Sequence, residues 1–356
     1  MNEFIIGCIP NSSDFRHPQD RRRYLPYFKE NGIVYERAKF NKFYNVLYVS
    51  LSADLNKWYE YKNSQARKGN SCRVVFDLSD FYLASGVVSN ILRSLFHFVT
   101  RRTSVLSYSY TKTLKRMIDN SDVVICGSEE QKKLLDELHN NVKIVRDYFY
   151  DDINIVKSRY ELNKPGELNV LWEGLSHGGK EIFKLLKEIL NSVDSLKINV
   201  HIVCDSEYCQ LGSSYFCRST YKVLKHIFKN SSVSFHHYDW CSSTFSSIAT
   251  ACDIAVIPIP DNEFMKKKPE NKLIFLWLMG IPVISSDIDS YKRVMSEASL
   301  DYYCSDLSDW KNKLESLASS RSERLKYMNN VNTYLKANYS KESIFQMNEA
   351  IFFSNL

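Results

Sequence analysis

The amino-acid sequence predicts an α/β protein built from two doubly wound, Rossmann-like domains. In both halves of the chain, short apolar runs typical of buried parallel strands alternate with segments of helical periodicity. A polar, mixed segment at 147–167, with Pro165 and Gly166 near its end, separates the two halves and has the composition of a linker. The chain of 356 residues is long enough for about two such domains.

The predicted domain boundaries follow from this pattern. We expect a first domain at 1–150, a linker at 151–167, a second domain at 168–338 and a terminal segment at 339–356. The predicted strands begin near Phe4, Val46, Arg73, Asp122 and Val142 in the first domain, and near Leu168, Lys197, Val233, Ile254 and Ile281 in the second.

Composition and charge narrow the classes of function. With 44% hydrophobic and 25% charged residues, the chain is an ordinary globular protein. The formal net charge of +6 favours anionic ligands or an acidic surface, and no RNA-binding aromatic motif occurs, so nucleic acid is not an expected partner. The lack of a signal peptide and of an apolar run of ~18 residues predicts a cytoplasmic protein that does not span a membrane.

The nine cysteines bear on location and on metal binding. Their number is odd and none form a CxxC pair, which indicates reduced thiols rather than a disulfide framework or a zinc site. Cys204, Cys209 and Cys217 form the closest group, but their spacing is irregular. We therefore expect no metal ligands, and we interpret the DxD sequence of Asp287 and Asp289 as a helix cap.

Two carboxylates follow the strand that begins at Arg73. Asp77 and Asp80 lie just past its predicted end, where catalytic groups often lie in parallel sheets. Either carboxylate can act as a general base or hold an acceptor hydroxyl, provided that it lies within hydrogen-bond reach. Capping of the next helix by Asp77, Ser79 or Asp80 is an equally open interpretation.

A long, basic amphipathic segment runs from Val87 to Ile118, with a predicted break near Thr103 and Ser104. Its apolar residues include Ile91, Leu92, Leu95, Phe96, Phe98 and Val99, and the interleaved cations are Arg93, Arg101, Arg102, Lys112, Lys115 and Arg116. Such a helix either lies on an anionic membrane surface or packs on its own sheet with solvated charges. The sequence leaves both interpretations open.

The second domain opens with a strand, a glycine-bearing loop and a helix. The strand from Leu168 to Trp172 is followed by Glu173, Gly174, His177, Gly179 and Lys180, and then by an amphipathic helix. Small residues in such a loop let backbone N–H groups approach a phosphate. The loop matches neither the Walker motif nor GxGxxG, and Lys180 can equally be an ordinary exposed lysine.

The segment from Cys252 to Ser286 has the clearest pattern in the chain. A buried strand leads into a loop and then into a helix that is apolar on every side from Leu273 to Met279, so we expect this helix to be buried. Its polar residues lie only at its N-terminus, and they are Glu270, Asn271 and Lys272. We expect this N-terminus to lie at the carboxyl edge of the sheet. Free backbone N–H groups at that end favour a phosphate.

The run PENKLIFLWLMGIPVISS at 269–286 resembles the donor-site segment of GT-B glycosyltransferases, especially the family 4-like group. The matching residues are Lys272, Leu273, Gly280, Pro282, Val283 and Ile284. One departure is that Phe275 and Lys267 stand where many members carry a pair of glutamates, and Glu270 is the nearest acidic substitute. The resemblance implies a GT-B fold with an acceptor-side first domain, a nucleotide-sugar-binding second domain and a terminal helix that packs back on the first.

The resemblance also implies roles for individual residues. Lys180 and Lys272 would neutralise the diphosphate leaving group, and Glu270 would bind the ribose hydroxyls. The implied donor-binding set is Glu173, Gly174, His177, Gly179, Lys180, His237, Tyr238, Glu270, Asn271 and Lys272. In the resembling enzymes the loop after the strand at Val233 to Phe235 flanks the nucleotide base, which would place His237 and Tyr238 there. On the acceptor side, Asp14, Arg16 and His17 would face the interdomain cleft, although they can equally form a solvated polar turn.

The implied function is glycosyl transfer from a nucleotide-activated sugar to a glycan or a lipid-linked acceptor, in the synthesis of a bacterial surface polysaccharide such as O-antigen or capsule. The nucleotide-sugar is a co-substrate, so we expect no cofactor and no metal, and the resemblance suggests retention at the anomeric carbon. The expected partners are the donor, the acceptor and the anionic cytoplasmic face of the inner membrane. Two alternatives stay open. The first is a nucleotide-sugar epimerase of the same fold. The second is a non-catalytic scaffold that binds a sugar or a nucleotide, and the missing glutamate pair favours this second alternative.

Overall fold

The computed structural model describes residues 4–84, 86–103, 105–176, 179–209 and 217–353. The chain divides into two units. Unit 1 consists of Met1–Tyr148, Lys267–Asn271 and Tyr339–Leu356, and unit 2 consists of Phe149–Lys266 and Lys272–Asn338.

A parallel sheet forms the centre of unit 1. Its strands are β1 (Ile6–Ile9), β2 (Tyr35–Arg37), β3 (Val46–Ser50), β4 (Arg73–Asp77), β5 (Val123–Cys126) and β6 (Val142–Ile144). They lie in the order β2-β1-β3-β4-β5-β6, and every neighbouring pair is parallel. All residues of β3 and β5 are buried, as expected for central strands covered on both faces.

The helices that connect these strands are α1 (Pro18–Arg23), α2 (Leu25–Glu30), α3 (Leu55–Arg67), α4 (Val87–Val99), α5 (Tyr110–Asp119) and α6 (Glu129–Leu135). Helices α1 and α2 are separated at Tyr24, because Pro26 in the first turn of α2 lacks a backbone donor. The break predicted near Thr103 falls between α4 and α5, and Ser104 lies outside the described residues.

A second parallel sheet forms the centre of unit 2. The strands of this unit are β7 (Glu167–Glu173), β8 (Lys197–Cys204), β9 (Glu207–Cys209), β10 (Cys217–Ser219), β11 (Ser234–Asp239), β12 (Ile254–Ile257), β13 (Val283–Ser286) and β14 (Tyr303–Cys304). Six of them form the sheet, in the order β11-β8-β7-β12-β13-β14, with every neighbouring pair parallel. The prediction of two Rossmann-like α/β domains is confirmed.

The helices of unit 2 are α7 (Gly179–Asn191), α8 (Thr220–Ile227), α9 (Ser242–Ala251), α10 (Glu263–Lys266), α11 (Asn271–Leu278), α12 (Asp289–Glu297), α13 (Leu307–Ser319) and α14 (Arg321–Asn338). The last helix, α15 (Lys341–Phe352), belongs to unit 1, where the Phe352 ring meets the Phe28 ring at a centroid distance of 4.8 Å.

The short strands β9 and β10 correct one prediction. They form an antiparallel pair in which Cys217 lies opposite Cys209, and Cys217 is disulfide-bonded. The expectation that every cysteine is a reduced thiol is therefore wrong for Cys217.

Helix α11 is buried as its sequence predicts. Every residue from Leu273 to Trp277 is buried, so this helix is enclosed on all sides. Two residues after its end at Leu278 lies Gly280, whose φ is +76°, and a Cβ at this position would lie 2.7 Å from the backbone oxygen of Lys157. Only glycine combines this conformation with so close an approach of a second backbone segment.

Candidate functional site

The Lys272 side chain lies at the carboxyl end of strand β7. Its ammonium Nζ donates to the backbone oxygen of Glu173 at 2.5 Å and lies 3.7 Å from the Glu173 carboxylate. The same ammonium lies 5.5 Å from the centre of the Trp172 ring. The structure therefore brings together Glu173 and Lys272, which belong to two separate sequence motifs of unit 2.

Gly174 leaves room for this lysine. A Cβ at Gly174 would lie 3.0 Å from Lys272 Nζ and 3.0 Å from the Trp172 ring, which is closer than ordinary contact distance. The glycine thus lets the ammonium reach the end of the strand, while the Gly174 N–H itself donates to the backbone oxygen of Val203 at 3.2 Å.

Lys180 lies in the first turn of α7, the helix that follows β7 in the chain. Its side chain is exposed, and α7 begins one residue earlier at Gly179. His177, the third residue predicted in this loop, lies outside the described residues. A cation at a helix N-terminus that follows a parallel strand is suited to binding phosphate.

The two predicted base-flanking residues lie in a strand, not in a loop. Strand β11 continues to Asp239, so His237 and Tyr238 are strand residues, and the Tyr238 hydroxyl lies 3.1 Å from His201 Nδ1. The prediction placed them in the following loop because it ended the strand at Phe235. In the structure that loop begins at Trp240, which is half-buried.

Glu270 and Asn271 belong to unit 1. The Glu270 side chain is only 3% exposed, and its Oε1 accepts a hydrogen bond from the Tyr339 hydroxyl at 3.3 Å. Asn271 Nδ2 donates to Asp147 Oδ2 at 3.1 Å. The expectation that Glu270 offers its carboxylate to a ribose is not supported, because this carboxylate is enclosed and hydrogen-bonded within unit 1.

Asp77 is also enclosed. One of its oxygens lies 3.1 Å from Arg23 Nη1, and the other accepts from the Tyr48 hydroxyl, while the side chain is 1% exposed. Burial raises the pKa of Asp77, and Arg23 and the Tyr48 hydrogen bond oppose that rise. The predicted role as a general base is not supported, since neither oxygen is open to an incoming hydroxyl.

Asp80 and His17 line one cavity of about 140 Å³ in unit 1. The other residues that line it are Asn11, Gln19, Leu51, Ser52, Tyr82, Arg93, His97, Arg102 and Tyr110. Asp80 Oδ2 accepts from the Tyr82 hydroxyl at 3.3 Å. Burial lowers the pKa of His17 below its ordinary value, although Asp20 and Asp80 oppose this shift. A carboxylate and an imidazole thus face a shared cavity.

Asp14 and Arg16 pair with each other. Their side chains are 3.7 Å apart, Asp14 Oδ1 also accepts from the Arg16 backbone N–H, and both side chains are exposed. Hydrogen bonds from Ser12 and the Arg16 backbone lower the pKa of Asp14. Neither residue lines the cavity of His17 and Asp80, so the polar-turn interpretation describes their placement.

Comparison with solved structures identifies this architecture. WaaG, a glycosyltransferase involved in lipopolysaccharide biosynthesis, has a TM-score of 0.57 at 10% identity, over 98% of this chain and 100% of WaaG. A glycosyltransferase from Rickettsia africae ESF-5 has a TM-score of 0.59 at 12% identity, over 99% of this chain and 100% of that one. The chain has the GT-B fold.

Two further GT-B structures extend the comparison. An α-glucosyltransferase in complex with UDP and a 13-mer DNA containing an HMU base has a TM-score of 0.57 at 12% identity, over 98% of both chains. TarM has a TM-score of 0.57 at 11% identity over 87% of this chain, and the chain spans about half (55%) of the length of TarM. No protein-family model and no curated protein sequence matches this GT-B chain.

The structure adds residues to the candidate site that the sequence did not indicate. In the first unit of this GT-B chain, Arg93, His97 and Arg102 line the cavity with His17 and Asp80, whereas the sequence assigned the two arginines either to a membrane surface or to solvated charges on a packed helix. In the second unit, Trp240 is the aromatic residue of the loop after β11. Trp240 ends the sequence run HHYDW, so the sequence did contain an aromatic residue at this place. Because the strand was predicted to end too early, its neighbours His237 and Tyr238 were assigned to the loop instead.

Proposed function

We propose that this protein is a glycosyltransferase that moves a sugar from a nucleotide-activated donor to a glycan or lipid-linked acceptor in surface polysaccharide synthesis. The observation that carries the proposal is the Lys272 ammonium at the end of β7, beside Gly174 and within a GT-B fold. In open α/β sheets, ligands bind at the carboxyl ends of the strands, and an ammonium there attracts a diphosphate. A structure similar to this one was solved with UDP, so UDP is the first nucleotide to test.

Each candidate residue has a defined step in this reaction. The bond between the anomeric carbon and the diphosphate oxygen breaks, and Lys272 and Lys180 stabilise the negative charge that develops on the departing phosphate. The acceptor oxygen forms the new bond to the anomeric carbon, and Asp80 takes its proton. The scheme requires neither a cofactor nor a metal, and retention at the anomeric carbon stays a prediction from the resemblance.

The proposal includes the location of the enzyme. We place it at the cytoplasmic face of a membrane, in contact with anionic lipid through the cations that follow α4. In the described part of the chain, no helix has the length and apolar character needed to cross a membrane. The cytoplasmic location stays a prediction, and the disulfide-bonded Cys217 is an observation against it, because disulfides are rare in reducing compartments.

Titration calorimetry with UDP tests the donor site. Replacing Lys272 by Met removes the charge and keeps most of the side-chain volume, so we expect UDP affinity to fall about tenfold or more. The matched control is Lys225→Met, which changes an exposed lysine on α8 that is not part of the proposed site, and we expect it to bind UDP as the wild type does. Equal affinity in the Lys272 variant would overturn the assignment.

Product analysis separates the proposed reaction from the two alternatives. A transferase forms product only when donor and acceptor are both present, and Lys180→Met should then lower kcat by about 10²-fold or more if Lys180 stabilises the leaving group. An epimerase forms a new nucleotide-sugar or free sugar from the donor alone. A scaffold shows no change in melting temperature with any nucleoside diphosphate.

A further inference from the structure

Helix α4 has its polar and apolar faces reversed. Its outward face carries large apolar side chains, among them Val88, Ile91, Leu92, Leu95, Phe98 and Val99. Its inward face carries Asn90 and Ser94, which are 8% and 4% exposed. A surface helix of a globular protein normally buries its apolar side and exposes its polar side. The reversal indicates that another apolar phase covers the outward face of α4.

The reversed orientation of α4 differs from that of the neighbouring helix α5, and a hydrogen bond between the two helices holds the polar side of α4 inward. In the neighbouring helix α5, the apolar residues Leu114, Met117 and Ile118 are fully buried, as in an ordinary surface helix. Asn90 Oδ1 of α4 accepts from the Thr111 hydroxyl of α5 at 2.7 Å, so the polar side of α4 has its partner inside the unit. Rotating α4 to bury its leucines would break this bond.

The exposed apolar surface continues beyond the helix. Val105, Leu106 and Tyr108, in the segment that leads to α5, are exposed, and Tyr108 is 83% exposed. Tyrosine is typical of membrane–water interfaces, where its ring contacts apolar material and its hydroxyl stays hydrated. With its 13 residues, α4 is about 20 Å long, which suits a helix that lies in the plane of an interface rather than one that crosses a membrane.

Charge identifies the phase that covers this surface. From residue 81 to residue 118 the sequence contains no Asp or Glu, and its cations are Arg93, Arg101, Arg102, Lys112, Lys115 and Arg116. Of these cations, Arg116 lies 3.9 Å from Glu60 of α3, and Arg93, Arg101 and Arg102 lie in or just after α4. An apolar face with such cations beside it complements an anionic lipid surface, which attracts each nearby cation and accepts the apolar side chains.

The inward side of α4 borders the cavity that also holds His17 and Asp80. Arg93, His97 and Arg102 line it, and the Arg93 guanidinium stacks on the Tyr82 ring at 3.7 Å. Burial, with Arg102 and Arg93 nearby, lowers the pKa of His97 to about 4, so His97 is neutral near pH 7 and the positive charges that line the cavity are those of Arg93 and Arg102, with the Asp80 carboxylate beside them. An arginine pair next to a candidate base suits a phosphate that adjoins the reacting hydroxyl.

We propose that the acceptor is an anionic lipid: the outward face of α4 and the 105–108 segment insert into the membrane interface, and the lipid's phosphate head group enters the cavity between Arg93 and Arg102. This inference rests on the proposed function for the identity of the acceptor, while the membrane insertion does not depend on it. Because apolar insertion contributes most of the binding, the association should persist at high salt, unlike the weak, salt-sensitive binding that cations alone would give.

Vesicle sedimentation tests the insertion. The wild type should bind vesicles of phosphatidylcholine and phosphatidylglycerol at low and at high salt. The Leu92→Ser/Leu95→Ser variant, changed only at exposed positions, should lose about tenfold or more of this binding, and Val88→Ser/Val99→Ser should behave alike. The control is Tyr221→Ser, an exposed apolar position in unit 2, which should bind as the wild type does. Absence of wild-type binding, or binding that high salt abolishes, overturns the insertion.

Light scattering tests whether a second copy of the protein, rather than a membrane, covers the outward face of α4. A concentration-dependent dimer that the Leu92→Ser/Leu95→Ser variant abolishes would show that a second copy covers α4, and it would overturn the proposal. A monomer that binds vesicles supports it.

A titration of His97 tests the head-group cavity. Glycerol phosphate should shift the imidazole NMR signals of His97, and the shift should vanish in Arg93→Gln and in Arg102→Gln but remain in Arg116→Gln, whose cation lies on α5 and does not line the cavity. No shift in the wild type, or an equal shift in all variants, overturns the head-group assignment. UDP binding by wild type and Lys272→Met reports on the proposed function separately, so the two ideas can fail independently.

Discussion

Arg23 and Asp77 form a buried ion pair at the end of strand β4, with 3.1 Å between Arg23 Nη1 and Asp77 Oδ1. Asp147 lies 3.1 Å from Nε of the same guanidinium, and Tyr48 donates to the second oxygen of Asp77. Burial alone lowers the pKa of Arg23, but Asp77 and Asp147 raise it by more, so this arginine stays charged. One arginine thereby joins α1, β4 and the segment after β6.

Replacing Asp77 by Asn should therefore destabilise the fold. The change leaves a buried guanidinium with one of its two carboxylates missing, and breaking such a pair typically costs about 3–5 kcal/mol. Urea unfolding measures this loss. Asp80→Asn is the matched control, because Asp80 is half-buried and accepts from the Tyr82 hydroxyl, so stability should change little while transfer falls. Normal stability of Asp77→Asn together with lost transfer would restore Asp77 as the base.

Gly280→Ala and Gly166→Ala separate backbone strain from steric contact. Both glycines lie in unit 2 and have nearly the same φ, +76° and +77°, so alanine costs about 1–2 kcal/mol of strain at either position. Only at Gly280 would the new Cβ meet a backbone oxygen, that of Lys157 at 2.7 Å, whereas nothing lies within 4 Å at Gly166. Gly280→Ala should therefore lower the free energy of unfolding clearly more than Gly166→Ala. Equal losses would show that the Lys157 segment moves away freely.

The sequence predicted those elements whose environment follows from local pattern alone. Helix α11 is apolar on every side, and only a buried position satisfies such a helix, so its place in the core followed directly from its composition. The pairing of Arg23 with Asp77 joins residues that are 54 positions apart and carries no local signal, so the sequence offered only a catalytic carboxylate or a helix cap for Asp77. Its burial is a property of the sheet, not of the segment.

Helix α4 shows a second limit of sequence pattern. Periodicity establishes that its two faces differ, but it does not establish which face turns inward. The inward direction is decided by the hydrogen bond between Asn90 and Thr111, which lie on different helices. The ordinary assumption that the apolar face is buried was wrong here.

The stability of the protein should depend on pH through His97. Burial, with Arg102 and Arg93 nearby, lowers the pKa of His97 from 6.5 to about 4 in the folded chain. Between these values the unfolded chain binds a proton that the folded chain does not, so this contribution to stability is complete above pH 6.5 and is lost as the pH falls towards 4. Melting temperatures measured across this window should fall less steeply in His97→Gln. His226→Gln, at an exposed position on α8, should follow the wild type.

Glu270→Gln decides between a ribose contact and a structural role for the residue that most distinguishes this chain from the family 4-like pattern. The Glu270 carboxylate is buried in unit 1 and accepts from the Tyr339 hydroxyl at 3.3 Å, so the variant keeps one acceptor oxygen for Tyr339. We expect the dissociation constant for UDP to be unchanged in calorimetry and the melting temperature to change by a few degrees. A ribose contact predicts the reverse, because a carboxylate that binds two hydroxyls contributes about 1.5–3 kcal/mol for each bond. UDP affinity reduced tenfold with an unchanged melting temperature would therefore return Glu270 to the donor site.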